Sequence, residues 1–279
     1  MFLSLTNDLE LNEARPLAQY NNLRFLLNSN GTYKLGSNVC PHQASKILSK
    51  QSNQLECQYH GWTWNAQGEP VSSGHTAVCN QKKLNLQPAY ENQGMVFDSE
   101  IRLPQLPITF SNFHLEEHRT DQVKTVNPMH IMNIFLDVEH IPIVHKGVYE
   151  EMGITGEPKV EWEYFENGSV QKVYHSTEPN KLIFMWLAIY PFTMIEWQPG
   201  AMFITDCYNS ENGITDVAVY KYRESGYNNY DRNQEVWETA WSQDKFQSEQ
   251  MVAKTMNRQV LEAQKQHYIT WADNNDLKI

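Results

Sequence analysis

The sequence predicts an α+β protein, in which an all-β N-terminal domain precedes a C-terminal antiparallel-sheet domain flanked by helices. Three observations support this prediction. Short alternating segments separated by turn-forming residues fill positions 1–105, and a second set of strand-like segments runs from 158 to 223. Residues 231–271 contain neither Gly nor Pro, which is typical of one long helix or of two abutting helices.

The connector Leu103-Pro104-Gln105-Leu106-Pro107 marks the predicted domain boundary. Each proline removes a backbone donor and favours an extended conformation in the residue before it. We therefore expect two domains, residues 1–105 and residues 106–279. Within the second domain, residues 126–148 predict a helix or a broken helix that carries several histidines.

The composition is that of an ordinary globular protein and restricts its partners. Lys and Arg total 22 against 33 Asp and Glu, so the formal net charge is −11 at pH 7. Phosphate backbones and anionic lipids repel such a chain, which argues against nucleic-acid and membrane partners. The longest apolar run, Leu182–Tyr190, is about half as long as a membrane-spanning helix. The N-terminal residues lack the features of a secretory signal, so we expect a cytoplasmic protein.

Two short motifs each pair a cysteine with a histidine. Cys40-Pro41-His42 is followed, fourteen residues later, by Cys57-Gln58-Tyr59-His60. In a reducing compartment, cysteines at short spacing from other ligands point first to a metal. A Cys2His2 zinc site has the same ligand types, but zinc fingers pair Cys with Cys and His with His. The mixed pairs therefore favour an iron–sulfur centre over zinc.

At these residues the sequence resembles the Rieske [2Fe-2S] domain. The run Cys57-Gln58-Tyr59-His60-Gly61-Trp62, with Gly68 downstream, is similar to the second cluster loop of that family, whereas the segment after His42 lacks the family's customary glycine. Neutral imidazole ligands raise the reduction potential of such a cluster to roughly −150 to +300 mV. The ligands that the resemblance implies are Cys40 and Cys57 on one iron, and His42 and His60 on the other.

A second candidate metal site lies in the histidine-bearing segment, where His140 and His145 are five residues apart. On an ideal helix, this spacing turns two side chains about 140° away from each other. Both rings can reach one ion only if the helix is broken, and we expect Pro142 to break it. Asp137 precedes His140 by three residues, so its carboxylate is expected on the same face, within hydrogen-bonding reach of the imidazole.

The pattern Asn133…Asp137-x2-His140-x4-His145 resembles the mononuclear iron motif of Rieske-type non-haem iron oxygenases, the α-subunit family of the aromatic-ring-hydroxylating enzymes. The resemblance covers the whole chain in order: Rieske domain, iron motif, sheet and C-terminal helix. It implies a helix-grip-like catalytic domain. It also implies a ferrous ion held by His140, His145 and one carboxylate, with positions left open for dioxygen.

The third iron ligand is expected from the C-terminal helical region, where two segments are candidates. The segment from Gln243 to Glu249 contains Asp244, and the segment from Asn257 to Gln264 offers Asn257 or Glu262. A neutral amide binds ferrous iron poorly, so Asp244 is preferred.

The resemblance implies a terminal oxygenase component that uses dioxygen to hydroxylate, dihydroxylate or oxidatively demethylate a small organic substrate. It implies a ferredoxin or a flavin reductase as electron donor. It also implies a homotrimer in which Asp137 links a neighbour's cluster histidine to His140. The alternative is a Rieske electron-transfer or structural protein with a degenerate iron site. We expect seven side chains to line one face of the second sheet: Phe184, Trp186, Tyr190, Phe192, Met194, Trp197 and Phe203. The sequence leaves open whether they form a substrate pocket or plain core.

Overall fold

The computed structural model describes residues 1–72, 82–125, 128–137, 140–145, 147, 159–175, 177–250 and 263–275. Contacts divide the chain into two compact units, Phe2–Ser111 and Asn112–Ile279. Both units are built mainly from antiparallel strands, and the α-helices of the described residues all belong to the second unit. This arrangement confirms the predicted α+β class.

The first unit contains three small antiparallel sheets. They are β1-β10-β9, β2-β3-β4-β8 and β5-β6-β7. The strand bounds are β1 Phe2–Leu5, β2 Ala14–Pro16, β3 Arg24–Ser29, β4 Thr32–Ser37, β5 Leu55–Glu56, β6 Thr63–Trp64, β7 Pro70–Ser72, β8 Leu86–Pro88, β9 Tyr90–Asn92 and β10 Met95–Phe97. The predicted ligand motifs lie in two loops, one between β4 and β5 and the other between β5 and β6.

The second unit is a seven-stranded antiparallel sheet in the order β11-β17-β16-β15-β14-β13-β12. Its strands are β11 Phe113–Val123, β12 Lys159–Phe165, β13 Gly168–Tyr174, β14 Leu182–Ile189, β15 Thr193–Gln198, β16 Ala201–Glu211 and β17 Ile214–Glu224. Its helices are α1 Met129–Phe135, α2 Ile141–Val144, α3 Tyr230–Gln250 and α4 Ala263–Asn274. Among the residues that the structure describes, no helix is both long and apolar enough to cross a membrane.

Helix α3 forms because its apolar positions repeat at helical spacing and nothing interrupts it. Tyr230, Trp237, Trp241, Asp244 and Ser248 are its buried residues, and intervals of three, four and seven place them on one face. Most of that face packs on the sheet, where the indoles of Trp237 and Trp241 join an apolar cluster with side chains of β16 and β17. Asp244 is the one charged residue among these five buried positions.

The histidine-bearing segment is a broken helix, but the break is not at the predicted place. Helix α1 ends at Phe135, where the N–H of Leu136 still donates to the carbonyl of Met132. Pro142 is the second residue of the four-residue helix α2 and so lies in its first turn, where a missing N–H removes no intrahelical bond. The histidines stand at the two ends of α2, and the helix is interrupted before His140 rather than between them.

One row of directly paired residues crosses the centre of the large sheet. Trp186 of β14 pairs with Glu196 of β15, Glu196 with Phe203 of β16, and Phe203 with Lys221 of β17. Paired residues share a face, and this is the face on which Trp237 of α3 packs. The row therefore places two charged side chains beneath a helix.

The expectation that Trp197 shares a face with the other sheet aromatics is wrong. Side chains alternate along a strand, so Trp197, next to Glu196, points to the opposite face and pairs with Met185. Tyr190 and Phe192 lie in the turn between β14 and β15. Phe184, Trp186, Met194 and Phe203 remain on the face covered by helices.

The stability of the second unit depends on the buried ammonium group of Lys221. Lys221 is only 1% exposed, and its Nζ donates to Glu117 at 2.6 Å and pairs with Glu238 of α3. Lys221→Ala leaves two carboxylates with one fewer cation, so we expect the free energy of unfolding to fall by about 3 kcal/mol. Chemical denaturation measures this loss. In the matched variant Lys159→Ala, the exposed pair with Glu161 is lost, and we expect a much smaller change because solvent screens that pair. Equal effects of the two substitutions would contradict the assignment.

Candidate metal centres

Two loops of the first unit hold the predicted Rieske ligands through a network of backbone hydrogen bonds. The N–H of Cys40 donates to the carbonyl of Ser45 at 2.7 Å, and that of Cys57 donates to Trp62 at 2.7 Å. The loops are tied to each other by the N–H of Gln58, which donates to the carbonyl of Lys46 at 3.1 Å. Each ligand motif therefore lies at a tight turn, and the two turns face each other.

The cysteines and the histidines of these loops differ sharply in environment. Cys40 and Cys57 are 3% and 2% exposed and belong to the apolar core of the first unit. His42 and His60 are exposed, with ring centroids 5.1 Å apart, and the ring of Trp62 stacks on His42 at 4.3 Å. Burial raises the pKa of the Cys40 thiol, which also contacts Cys57 through a hydrogen bond. Two adjacent buried thiols and two exposed imidazoles match the donor set of a Rieske cluster.

Ala44 occupies the first loop in a conformation that suits glycine. Its φ is +56°, in the left-handed region, and its N–H donates to the carbonyl of Cys40 at 3.0 Å. A Cβ atom in this region lies close to the following carbonyl oxygen, which costs about 1–2 kcal/mol. The loop thus keeps the conformation that a glycine favours, although an alanine stands there.

In the second unit, three electron-pair donors converge on one point. His140 Nε2 and His145 Nε2 are 3.0 Å apart, and Asp244 Oδ1 lies 3.4 Å from the first and 2.9 Å from the second. All three side chains are largely buried. Helix α2 separates the two histidines, and α3 brings the carboxylate from about 100 residues further along the chain. The structure therefore brings together the three residues that the sequence suggested as iron ligands.

The hydrogen bonds behind the rings decide which of their nitrogens face the centre with lone pairs. His140 Nδ1 donates to the main-chain oxygen of Asp137, and His145 Nδ1 donates to Gln243 Oε1 at 2.8 Å. Since both partners are acceptors, each neutral ring carries its proton on Nδ1 and leaves Nε2 as an acceptor. Two imidazole lone pairs and a carboxylate oxygen thus face one another.

Such an arrangement is repulsive unless a cation lies between the donors. Asp244 Oδ1 is buried, and within the described part of the chain no hydrogen-bond donor satisfies it. Two ligands about 2.1 Å from one ion and at right angles to each other are about 3.0 Å apart, close to the three separations found here. Two histidines and one carboxylate on a single face are the usual ligands of non-haem iron(II). These residues therefore fit a mononuclear iron.

The pKa values of His145 and Asp244 show that protons can bind to the same lone pairs as a metal ion. Burial opposes the charge on His145, but a protonated ring would donate from Nε2 to Asp244, and this hydrogen bond together with the negative charge of Asp244 raises the pKa of the histidine. Burial likewise opposes the Asp244 carboxylate, yet hydrogen bonds from the two imidazoles in their protonated form lower the pKa of Asp244 below its ordinary value. A proton and a divalent cation compete for this site, so iron binding is expected to displace protons.

Asp137 contacts the centre differently from the sequence-based expectation. The expectation was a bond from its carboxylate to the His140 ring across an intact helical turn, but Asp137 lies outside α1 and α2. The ring nitrogen is instead held by the main-chain carbonyl of Asp137. This carbonyl orients His140, and the side chain of Asp137 is not required for that role.

Sequence reasoning missed one residue of this centre. Gln243, which precedes Asp244 in the sequence, accepts a hydrogen bond from His145 and so orients its ring. This role cannot be predicted without knowing that α3 faces α2. The alternative ligands Asn257 and Glu262 lie outside the described residues. Asp244 is the carboxylate that the described part of the chain places beside both histidines.

Comparison with known proteins identifies the domain type of the first unit and the fold of the chain. The Rieske [2Fe-2S] domain model matches residues 2–85. The quaternary ammonium Rieske monooxygenase CntA, solved with L-carnitine, aligns over 89% of this chain and 76% of its own, with 15% identity and a TM-score of 0.67. NdmA of Pseudomonas putida CBB5, solved with caffeine, aligns over 90% of this chain and 80% of its own, with 15% identity and a TM-score of 0.57. No curated protein sequence matches the chain.

The matches define the class of protein. The first unit contains a Rieske [2Fe-2S] domain, the domain type that holds such a cluster. The chain as a whole has a fold similar to that of the solved Rieske monooxygenase CntA and of NdmA.

The backbone strain at Ala44 predicts that two alanine-to-glycine substitutions change the stability of the protein in opposite directions. Ala44→Gly removes the steric cost of the left-handed conformation, so we expect the first unit to be about 1 kcal/mol more stable. Ala66, in a nearby turn, has no positive φ. There, Ala66→Gly only adds freedom to the unfolded chain and should destabilise by about 0.5–1 kcal/mol. Denaturant unfolding of the cluster-loaded protein compares the two, and a loss of stability in Ala44→Gly would refute the assigned strain.

Proposed function

We propose that this chain is the terminal oxygenase component of a two- or three-component system. It would activate dioxygen with a Rieske cluster and a mononuclear ferrous ion, and oxidise a small organic substrate by hydroxylation, dihydroxylation or oxidative demethylation. The observation that carries the proposal is the convergence of His140, His145 and Asp244 in a chain whose other unit carries the Rieske ligands. The small organic ligands of the similar solved structures are consistent with this substrate class.

Each residue of the two centres has a distinct task in this proposal. His140, His145 and Asp244 would hold a ferrous ion, which would supply the binding and activation of dioxygen. The Asp137 carbonyl and Gln243 hold the imidazoles with their lone pairs directed at the ion.

The exposed histidines of the proposed cluster site suit the entry of electrons. His42 and His60 lie at the surface, whereas the cysteines are buried, so an external donor reaches the cluster through an imidazole. We take a ferredoxin or a flavin reductase as that donor. A homotrimer would provide the path onward, with the Asp137 carboxylate accepting a hydrogen bond from a neighbour's cluster histidine while the main-chain carbonyl of Asp137 holds His140.

A Rieske electron carrier without catalytic iron is the competing function, and the composition of the second centre argues against it. A degenerate site would have lost a ligand or its supporting hydrogen bond. Here all three ligands and both ring-orienting acceptors are in place.

Iron analysis tests the proposal directly. The purified, reconstituted wild type should contain about three irons per chain, two in the cluster and one at the mononuclear site. His145→Ala should contain about two, keep the cluster's visible spectrum and lose substrate oxidation, because two remaining ligands hold iron poorly. Ser242→Ala, an exposed neighbour on α3, is the matched control and should retain three. A wild type with only two irons and an intact cluster spectrum would favour the electron carrier.

Asp137→Asn separates electron transfer from metal binding. The substitution preserves the main-chain carbonyl that holds His140, so iron content should not change. The carboxylate of the proposed bridge is lost, so reduction of the iron by the cluster should slow by at least about tenfold. Single-turnover measurements with pre-reduced protein give this rate, and equal rates in the variant and the wild type would remove Asp137 from the electron path.

A further inference from the structure

The inner face of strand β11 carries ionisable side chains that the proposed chemistry does not use. β11 is the first strand in the order of the large sheet. The half-buried side chains of Glu117, Arg119 and Asp121 alternate along it with the exposed His118 and Thr120. The half-buried face of a strand is normally apolar, so three charged residues in this position require partners.

Two of these side chains bind helix α3 shortly before Asp244. Both terminal nitrogens of the Arg119 guanidinium donate to the carboxylate of Glu238, at 2.5 and 2.9 Å. The indole N–H of Trp241 donates to Asp121 Oδ2 at 2.6 Å, and Arg119 donates to the same carboxylate at 3.0 and 3.2 Å. Paired hydrogen bonds between planar groups fix the orientation of both partners. Helix α3 is therefore held six and three residues before Asp244.

A third contact holds the helix after Asp244. The backbone N–H of Lys124 donates to Glu249 Oε1 at 3.1 Å. From Glu238 to Glu249 an α-helix rises about 16 Å, and from Arg119 to Lys124 a strand rises about 17 Å. The helix and the strand thus run side by side in the same direction, and their contacts on both sides of Asp244 oppose sliding of the helix along its axis. We call these three contacts the β11–α3 clasp.

Trp241 also connects the clasp to the segment that carries the histidine ligands. Its ring stacks on that of Phe135, with centroids 5.8 Å apart. Phe135 is the last residue of α1, and His140 follows five residues later. Trp241 and Asp244 are three residues apart on α3, so their side chains lie on the same face of that helix. One indole therefore contacts β11 and α1, while its own helix supplies the carboxylate ligand.

We infer that the β11–α3 clasp positions Asp244 opposite the two histidine ligands, and that Trp241 is its central positioning residue. The inference rests on the proposed function, because it takes these three ligands to bind iron. Asp244 Oδ1 lies 2.9 Å from His145 Nε2 and 3.4 Å from His140 Nε2. Distances between a metal and its ligands tolerate changes of only about 0.2 Å, so a small shift of α3 is enough to weaken coordination.

Two substitutions weaken the clasp without touching a ligand. Trp241→Phe keeps an aromatic ring against Phe135 but removes the N–H that Asp121 accepts, and Arg119→Met removes the guanidinium. In protein with an intact, oxidised cluster, we expect each variant to bind iron(II) at the mononuclear site about tenfold more weakly than the wild type. Competition with a chelator measures this affinity. We also expect a changed EPR signal from the nitric-oxide adduct of this iron, because the carboxylate lies at a different distance from the ion.

Two further variants show whether position or general stability is responsible. Arg223→Met removes an arginine that also joins a β11 carboxylate, Glu116, to an α3 carboxylate, Asp231. Asp231 lies about 20 Å along the helix from Asp244, so this control should keep the wild-type affinity and EPR signal. Asp121→Asn keeps an oxygen for the indole N–H, and its affinity should lie nearer to that of the wild type than the affinity of Trp241→Phe.

Thermal unfolding shows which variants are folded, and Trp241→Phe with Asp121→Asn completes the test if Arg119→Met is not. Wild-type affinity and an unchanged EPR signal in folded Trp241→Phe would overturn the inference, and so would an equal loss of affinity in Arg223→Met. If the wild type contains three irons per chain in these experiments, only the inference fails. A wild type with two irons per chain would refute both the inference and the proposed function.

Discussion

The second unit depends on one electrostatic constraint: three electron-pair donors are held against one another in a buried space. Each imidazole is fixed from behind by an acceptor, so its other nitrogen presents a lone pair to Asp244. The sheet and α3 supply the rigidity that maintains this arrangement. Protein packing seldom tolerates such repulsion unless a ligand relieves it, so a cation bound between these donors would complete the structure as well as serve the proposed chemistry.

The sequence predicted features whose residues lie close together in the chain. The two Cys–His motifs and the His140–His145 pair are local patterns, and the residues of each loop are brought together by short-range hydrogen bonds. The large sheet was also predictable, because alternation and β-branched or aromatic residues mark its strands. Asp244 was preferred over Asn257 on chemical grounds alone, since a carboxylate neutralises ferrous iron and an amide does not.

Features set by long-range packing were not predictable. The role of Gln243 depends on how α3 is rotated toward α2, and the position of Glu196 beside Trp186 depends on the register of the two strands. Trp197 was assigned to the wrong face because residue type alone does not reveal the parity of a strand. Pro142 was expected to break a helix. At the second position of the short helix α2 it instead favours helix initiation, and the helix is interrupted before His140.

The distance along the chain between the ligands has a thermodynamic consequence. A metal ion bound by His145 and Asp244 acts as a reversible cross-link that closes a loop of about 100 residues, including six of the seven strands of the large sheet. A covalent link around a loop of that length lowers the entropy of the unfolded chain by an amount equivalent to about 5 kcal/mol at 25 °C. Metal binding and folding of the second unit would therefore be linked equilibria. Without the ion, the free energy of unfolding of this unit would be lower.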